Sequence, residues 1–158
     1  MKRILFLLIM ILSVSITMKA QVYSKDKVAV YVTGKMDKVY KSIVSSKAIA
    51  YLSRSDKYVA LERSDIFLNA MNQEHDYQLS GEVSNDQIVD ICAKYGARYV
   101  AVFDTNMTPD GFCLMTGRLI NVKTGVVVKS VDSNRTIEST SDLVGLTNNV
   151  SYRLFVQP

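Results

Sequence analysis

The 158-residue chain contains one histidine and two cysteines. His75, Cys92 and Cys113 are too few and too scattered to supply the four ligands of a zinc-type centre. Glu74 and Asp76 flank His75, but successive side chains on a regular backbone point apart and chelate poorly. Neither a G-x-G-x-x-G pattern nor a Walker A pattern is present, so no phosphate cradle is indicated. With a single imidazole among many serines and aspartates, no Ser-His-Asp triad can be assigned from order alone. No cofactor, metal or catalytic residue is therefore expected. The least favoured alternative is a hydrolase using His75. The chain also lacks internal repeats, low-complexity tracts and linkers, which leaves a single domain.

Excess charge is missing once the first twenty residues are set aside. Lys2, Arg3 and Lys19 supply most of the formal net charge of +4. The nearly neutral remainder excludes a general basic surface for nucleic acid. A charged fraction of 22% and a hydrophobic fraction of 48% describe an ordinary globular chain.

The N-terminus carries a recognisable pattern. Lys2-Arg3 precedes an apolar run from Ile4 to Ile16, broken only by Ser13 and Ser15. That run is shorter than the ~20 residues a membrane-spanning helix requires. Residues 1–20 read as a bacterial secretory signal, cut after Ala20, although Met18 stands where a small residue is usual. Residues 21–158 then form a periplasmic or secreted domain with no further transmembrane segment. No cysteine adjoins the cut, so no lipid anchor is expected. In an exported chain Cys92 and Cys113 are a candidate disulfide. The alternative is two small buried apolar side chains.

Along the mature chain, Lys27 to Tyr31 reads as a strand ended by Thr33-Gly34. Asp37 caps a helix to about Arg54, with Tyr40, Ile43, Val44, Ala48, Tyr51 and Leu52 at helical spacing. A strand spans Tyr58 to Glu62, and Ser64-Asp65 opens a second helix. Ser84 and Gln87 form a capping box for a third, which buries Ile88, Ile91 and Cys92 and ends at Gly96. Tyr99 to Phe103 is a short, strongly apolar strand. Pro109-Asp110-Gly111 marks a turn. Phe112 to Val122 and Val126 to Val131 are strands joined through Asn121 to Gly125, and Ser139 opens a last helix. The order β-α-β-α-α-β-β-β-α predicts an α/β domain with a mixed five-stranded sheet covered by helices. The early β-α steps predict parallel neighbours, and the last three strands an antiparallel meander.

Charge is unevenly distributed. Residues 21–63 carry a net +5 and residues 64–110 a net −6. Lys38, Lys41 and Lys47 on the first mature helix are the candidate interaction surface. Glu62 and Arg63 read as a structural strand-to-helix corner, ion-paired and not catalytic. Gly34, with Lys35 beside it, follows the first strand at the edge where α/β folds bind ligands. It carries the alternative of a small-ligand carrier.

Five stretches carry a family resemblance: Val59 to Asp65, Phe67-Leu68, Glu74, Cys92 to Val102, and Gly117 to Gly125. In this order they resemble the curli-assembly CsgG type, the amino-terminal domain of TolB and the LpoB-type lipoproteins, over about Lys27 to Leu154. Asn121 stands where that family usually has Asp. The resemblance implies a periplasmic α/β domain that works by protein contact and not by catalysis. Its implied partner is another envelope protein or its own copies, and its implied role is that of adaptor or assembly accessory in outer-membrane biogenesis.

Overall fold

The computed structural model describes residues 24–61 and 85–157. These residues form β1 (Asp26–Lys35), α1 (Lys38–Leu52), β2 (Tyr58–Ala60), α2 (Asn85–Lys94), β3 (Tyr99–Met107), β4 (Phe112–Asn121), β5 (Val127–Thr136) and α3 (Thr140–Phe155). The five strands make one mixed sheet in the order β2-β1-β3-β4-β5. β1 runs parallel to both β2 and β3, and β3, β4 and β5 are antiparallel neighbours. The expected α/β domain with a five-stranded mixed sheet is the one observed. The helix expected from Ser64 and the cap at Ser84 lie outside the described residues.

Alternation along the strands divides the core into two. Val28 and Val30 of β1, Ala101 and Phe103 of β3, and Met115 and Leu119 of β4 face α1 and α3. The intervening Ala29, Tyr31, Val100, Val102 and Ile120 pack on the opposite face with Cys92 of α2. Because β1 and β3 are covered on both sides, their buried stretches read as unbroken apolar runs. α1 contributes Val44, Ala48 and Leu52 at helical spacing. α3 contributes Leu143, Leu146, Val150, Leu154 and Phe155.

Three strands are longer than their sequence pattern suggested. β1 continues through Thr33-Gly34 to Lys35, because it pairs with β3 as far as Lys35 opposite Asn106. β3 and β5 likewise run on through polar residues, since one of their faces meets solvent there. Gly34 is not a turn. It has a φ of 100°, and a Cβ placed on it would lie 1.9 Å from the Thr105 carbonyl oxygen. Thr105 also donates its hydroxyl to the Thr33 carbonyl at 2.8 Å.

α3 rests directly on β4 at Gly117. A Cβ there would sit 2.8 Å from Val150 Cγ1 and 3.3 Å from Leu154 Cδ2. Gly117→Ala is expected to push α3 outward and cost about 1–3 kcal/mol through overpacking. At Gly145, inside α3, an added Cβ meets only the tip of the Arg135 side chain, at 2.6 Å. Gly145→Ala is expected to hold or raise stability, since Ala favours a helix interior over Gly by about 1 kcal/mol. Thermal unfolding of the two variants should therefore shift in opposite directions, and a shared fall would contradict this packing.

The N-terminus of α3 is closed by a capping box. Ser139 N–H donates to Asp142 Oδ2 at 2.9 Å, the Ser139 hydroxyl donates to the same oxygen at 2.7 Å, and Asp142 N–H donates to Ser139 Oγ at 3.4 Å. The Ser139 hydroxyl, chiefly, holds the Asp142 carboxyl below the usual carboxylate range. A folded pKa depressed in this way adds stability that is full above the unfolded value, near ~3.9. It is lost as pH falls through the folded value. The stability difference between wild type and Asp142→Ala, followed by thermal unfolding, is expected to be constant near neutrality and to shrink below about pH 4.

Candidate functional site

α1 and α3 end at the same edge of the sheet, and a cleft of about 520 Å³ opens there. Its walls come from the turn between α1 and β2, the start of β5 and the last turn of α3. Ser55, buried in that turn, links the parts. Its hydroxyl donates to the Phe155 carbonyl at 3.1 Å and accepts from the Lys57 and Tyr58 N–H groups, each at 3.3 Å. Tyr58 meets Tyr99 edge-on at 5.8 Å and Phe155 at 6.4 Å between ring centroids. Burial first, then Tyr99 and Asp26, push the Tyr58 phenol up. It stays a neutral hydroxyl and is unsuited to act as a base.

The rim is basic. Arg54, Lys57 and Lys129 line the cleft with Asp56 as the one acid. The Arg54 guanidinium lies over the Tyr51 ring at 5.1 Å. Lys129 donates to the Gln157 carbonyl at 2.5 Å, and Lys25 donates to the Ser55 carbonyl at 2.7 Å. Both carbonyls lie just past a helix C-cap, where a cation offsets the negative end of the helix. Apolar surface is exposed beside them. Val128 and Val156, the C-cap of α3, line the cleft and are 50% and 38% exposed.

The three lysines of the candidate interaction surface do not form one patch. At about 100° per residue, Lys38 and Lys41 occupy neighbouring sides of α1, while Lys47 lies about 120° round from Lys41. Lys47 instead shares its side with Tyr51 and leads toward Arg54 and the cleft. Partial burial, then the Lys38 charge, pull the Lys41 ammonium down from its usual range. Glu62, Arg63 and His75 lie outside the described residues. Among the described residues no group of three His, Cys, Asp or Glu side chains could hold a metal ion. No helix among them is long and apolar enough to cross a membrane.

Gly34 owes its place to the close approach of β3, and Lys35 is exposed at the strand end beside it. A ligand cradle is not needed to account for this glycine. Asn121, where the resembling family has Asp, accepts from the Lys123 and Thr124 N–H groups at 2.9 and 3.2 Å. An amide oxygen thus holds the β4–β5 turn as a carboxylate oxygen would.

The candidate disulfide is not formed in the structure. Cys92 and Cys113 are both free and buried, and they belong to the two cores on opposite faces of the sheet. Strand alternation accounts for this: Cys113 faces α3, and Cys92 comes down from α2 on the other side. Burial pushes the Cys92 thiol up to about 12 and raises Cys113 as well. Only the thiolate is nucleophilic, so both are inert in the folded state. A thiol-reactive dye at pH 8 is expected to label neither cysteine until denaturant is added, and then both without reductant. Labelling that needs reductant would establish a bridge.

Nothing in the sequence alone brings Arg54, Lys57, Lys129, Val128 and Phe155 together. Their only local signals are the Val126-Val127-Val128 run and basic residues near helix ends.

No family model matches the chain, and no curated protein matches it. Among solved structures, a point variant of the PelC dodecamer from Paraburkholderia phytofirmans superposes with a TM-score of 0.55 at 17% identity, covering 84% of this chain and 89% of that one. A second crystal form of the PelC dodecamer gives 0.52 at 17% identity, with 81% and 85% covered. The LpoB C-terminal domain from Salmonella enterica reaches 0.49 at 16% identity, with 74% and 87% covered, too distant to add weight. The chain thus shares the α/β fold of PelC over most of both lengths. The resemblance to the CsgG, TolB and LpoB types rests on the sequence motifs alone.

Proposed function

We propose that this chain is an exported, non-enzymatic envelope protein that acts through protein–protein contacts, as an adaptor or as an accessory to assembly or secretion. It works in the periplasm or at the envelope surface, on another envelope protein or on its own copies. The observation that carries this reading is the surface where α1 and α3 end. There the exposed Val128 and Val156 lie beside Arg54, Lys57 and Lys129, around an open cleft. Exposed apolar side chains gathered in one place mark contact surfaces more often than solvent-facing ones. The leader at residues 1–20 and the envelope-family motifs support the compartment. The fold shared with PelC, which was solved as a dodecamer, supports contact among copies.

The test is affinity capture of the tagged mature protein from its own envelope after mild cross-linking. One defined envelope protein, or further copies of the bait, is expected. Recovery of neither, with the bait folded, would overturn the reading.

A further inference from the structure

We propose that the cleft between α1, β5 and the end of α3 is a docking site for an extended acidic segment of a second envelope protein. This rests on the contact function proposed above and names the chemistry of the partner. Charge is the first argument. Arg54, Lys57 and Lys129 line the cleft against Asp56, Lys25 reaches its wall at the Ser55 carbonyl, and the nearby Asp26 is neutralised by Arg98. Two helix C-termini also point there, each equivalent to roughly −0.5 charge. Together they remove about one positive charge, and the net field at the mouth stays positive. The cleft therefore favours an anion even though it is built on helix C-termini.

Shape is the second argument. Below the cationic rim lie Tyr58, Leu154 and Phe155, with Val128 and Val156 as walls. A compact anion such as phosphate would leave this apolar floor wet. An extended peptide alternates its side chains with a period of two, so acids can meet the rim while aliphatic residues meet the floor. β5 is the last strand of the described sheet, and its start at Val127 adjoins the cleft. Further along, the strand is guarded by Asp132 and Arg135, and Arg153 donates to the Asp132 carbonyl at 2.8 Å. Such charges discourage edge-to-edge pairing. The accessible part of this edge is thus confined to its valine-rich start, beside the cleft.

The test is fluorescence anisotropy of a labelled peptide alternating Glu and Leu, added to the mature protein at low salt. Saturable binding is expected, weakened by added salt. The double substitution Arg54→Glu with Lys57→Glu should reduce affinity about tenfold or more. Both side chains are exposed, and circular dichroism checks that the variant is folded. Should it not be, Arg54→Gln with Lys57→Gln provides the same reading. A peptide alternating Lys and Leu should not bind. Absence of Glu–Leu binding, equal binding by the Lys–Leu peptide or by the folded variant, or binding only to phosphatidylglycerol vesicles would each overturn the proposal. Capture of an envelope partner that is unaffected by the double substitution would sink this site while leaving the contact function standing. Capture of nothing would sink the contact function itself.

Discussion

Eight consecutive residue pairs, from Val28 opposite Tyr99 to Lys35 opposite Asn106, join the first described strand to β3. Every other element is placed relative to this parallel pair. β1 and β3 are buried on both faces, so the pair forms the floor of both cores at once. α1 and α3 cover one side, and α2 the other. The pairing is tight enough at its far end that the Thr105 carbonyl occupies the space of a Cβ on Gly34. Thr105, fully buried, has its hydroxyl satisfied by the Thr33 carbonyl. A β1 residue with any side chain at position 34 would have to break the end of the ladder.

The shared direction of α1 and α3 has an electrostatic consequence. Both helices end at the same edge of the sheet, which brings their negative ends together. Here the carbonyls of Ser55, Phe155 and Gln157 are each met, by Lys25, Ser55 and Lys129 respectively. The same cations leave the cleft mouth positive. Structural need and recognition thus draw on one set of side chains. The ion pair of Asp26 with Arg98, 2.7 Å across and largely exposed, ties the same edge of the sheet. By itself such an exposed pair adds little stability.

The outline of the fold was legible because it rests on local signals. Asp37 caps α1, accepting from the Val39 N–H at 2.7 Å, and Ser139 caps α3. Gly96 ends the helix region with a φ of 75°, and the β4–β5 turn closes at Gly125. Strand ends were less legible. Gly34 looks like a stop in one dimension and is an interior strand residue in three, because the reason for it lies on β3. The site was largely hidden for the same cause. Lys38, Lys41 and Lys47 are near one another in sequence, whereas helical rotation sends Lys47 toward Arg54. Lys57 and Lys129 come from opposite halves of the chain, and only the sheet brings them to one cleft. Cys92 and Cys113 were two thiols of unknown relation until strand alternation placed the sheet between them.

The pairing of β1 with β3 also orders events in time. Thr33 and Thr105 are 72 residues apart. By contrast, β3, β4, β5 and α3 follow one another closely and can find each other locally. Closing the long loop costs entropy that is regained only when β3 is already waiting. A chain emerging amino-terminus first must therefore hold Val28 to Tyr31 without β3, with only the three-residue β2 to pair with, until nearly two thirds of it has appeared. That interval exposes a run of β-prone apolar residues, and keeping it short or shielded is a demand the topology places on whatever delivers the chain.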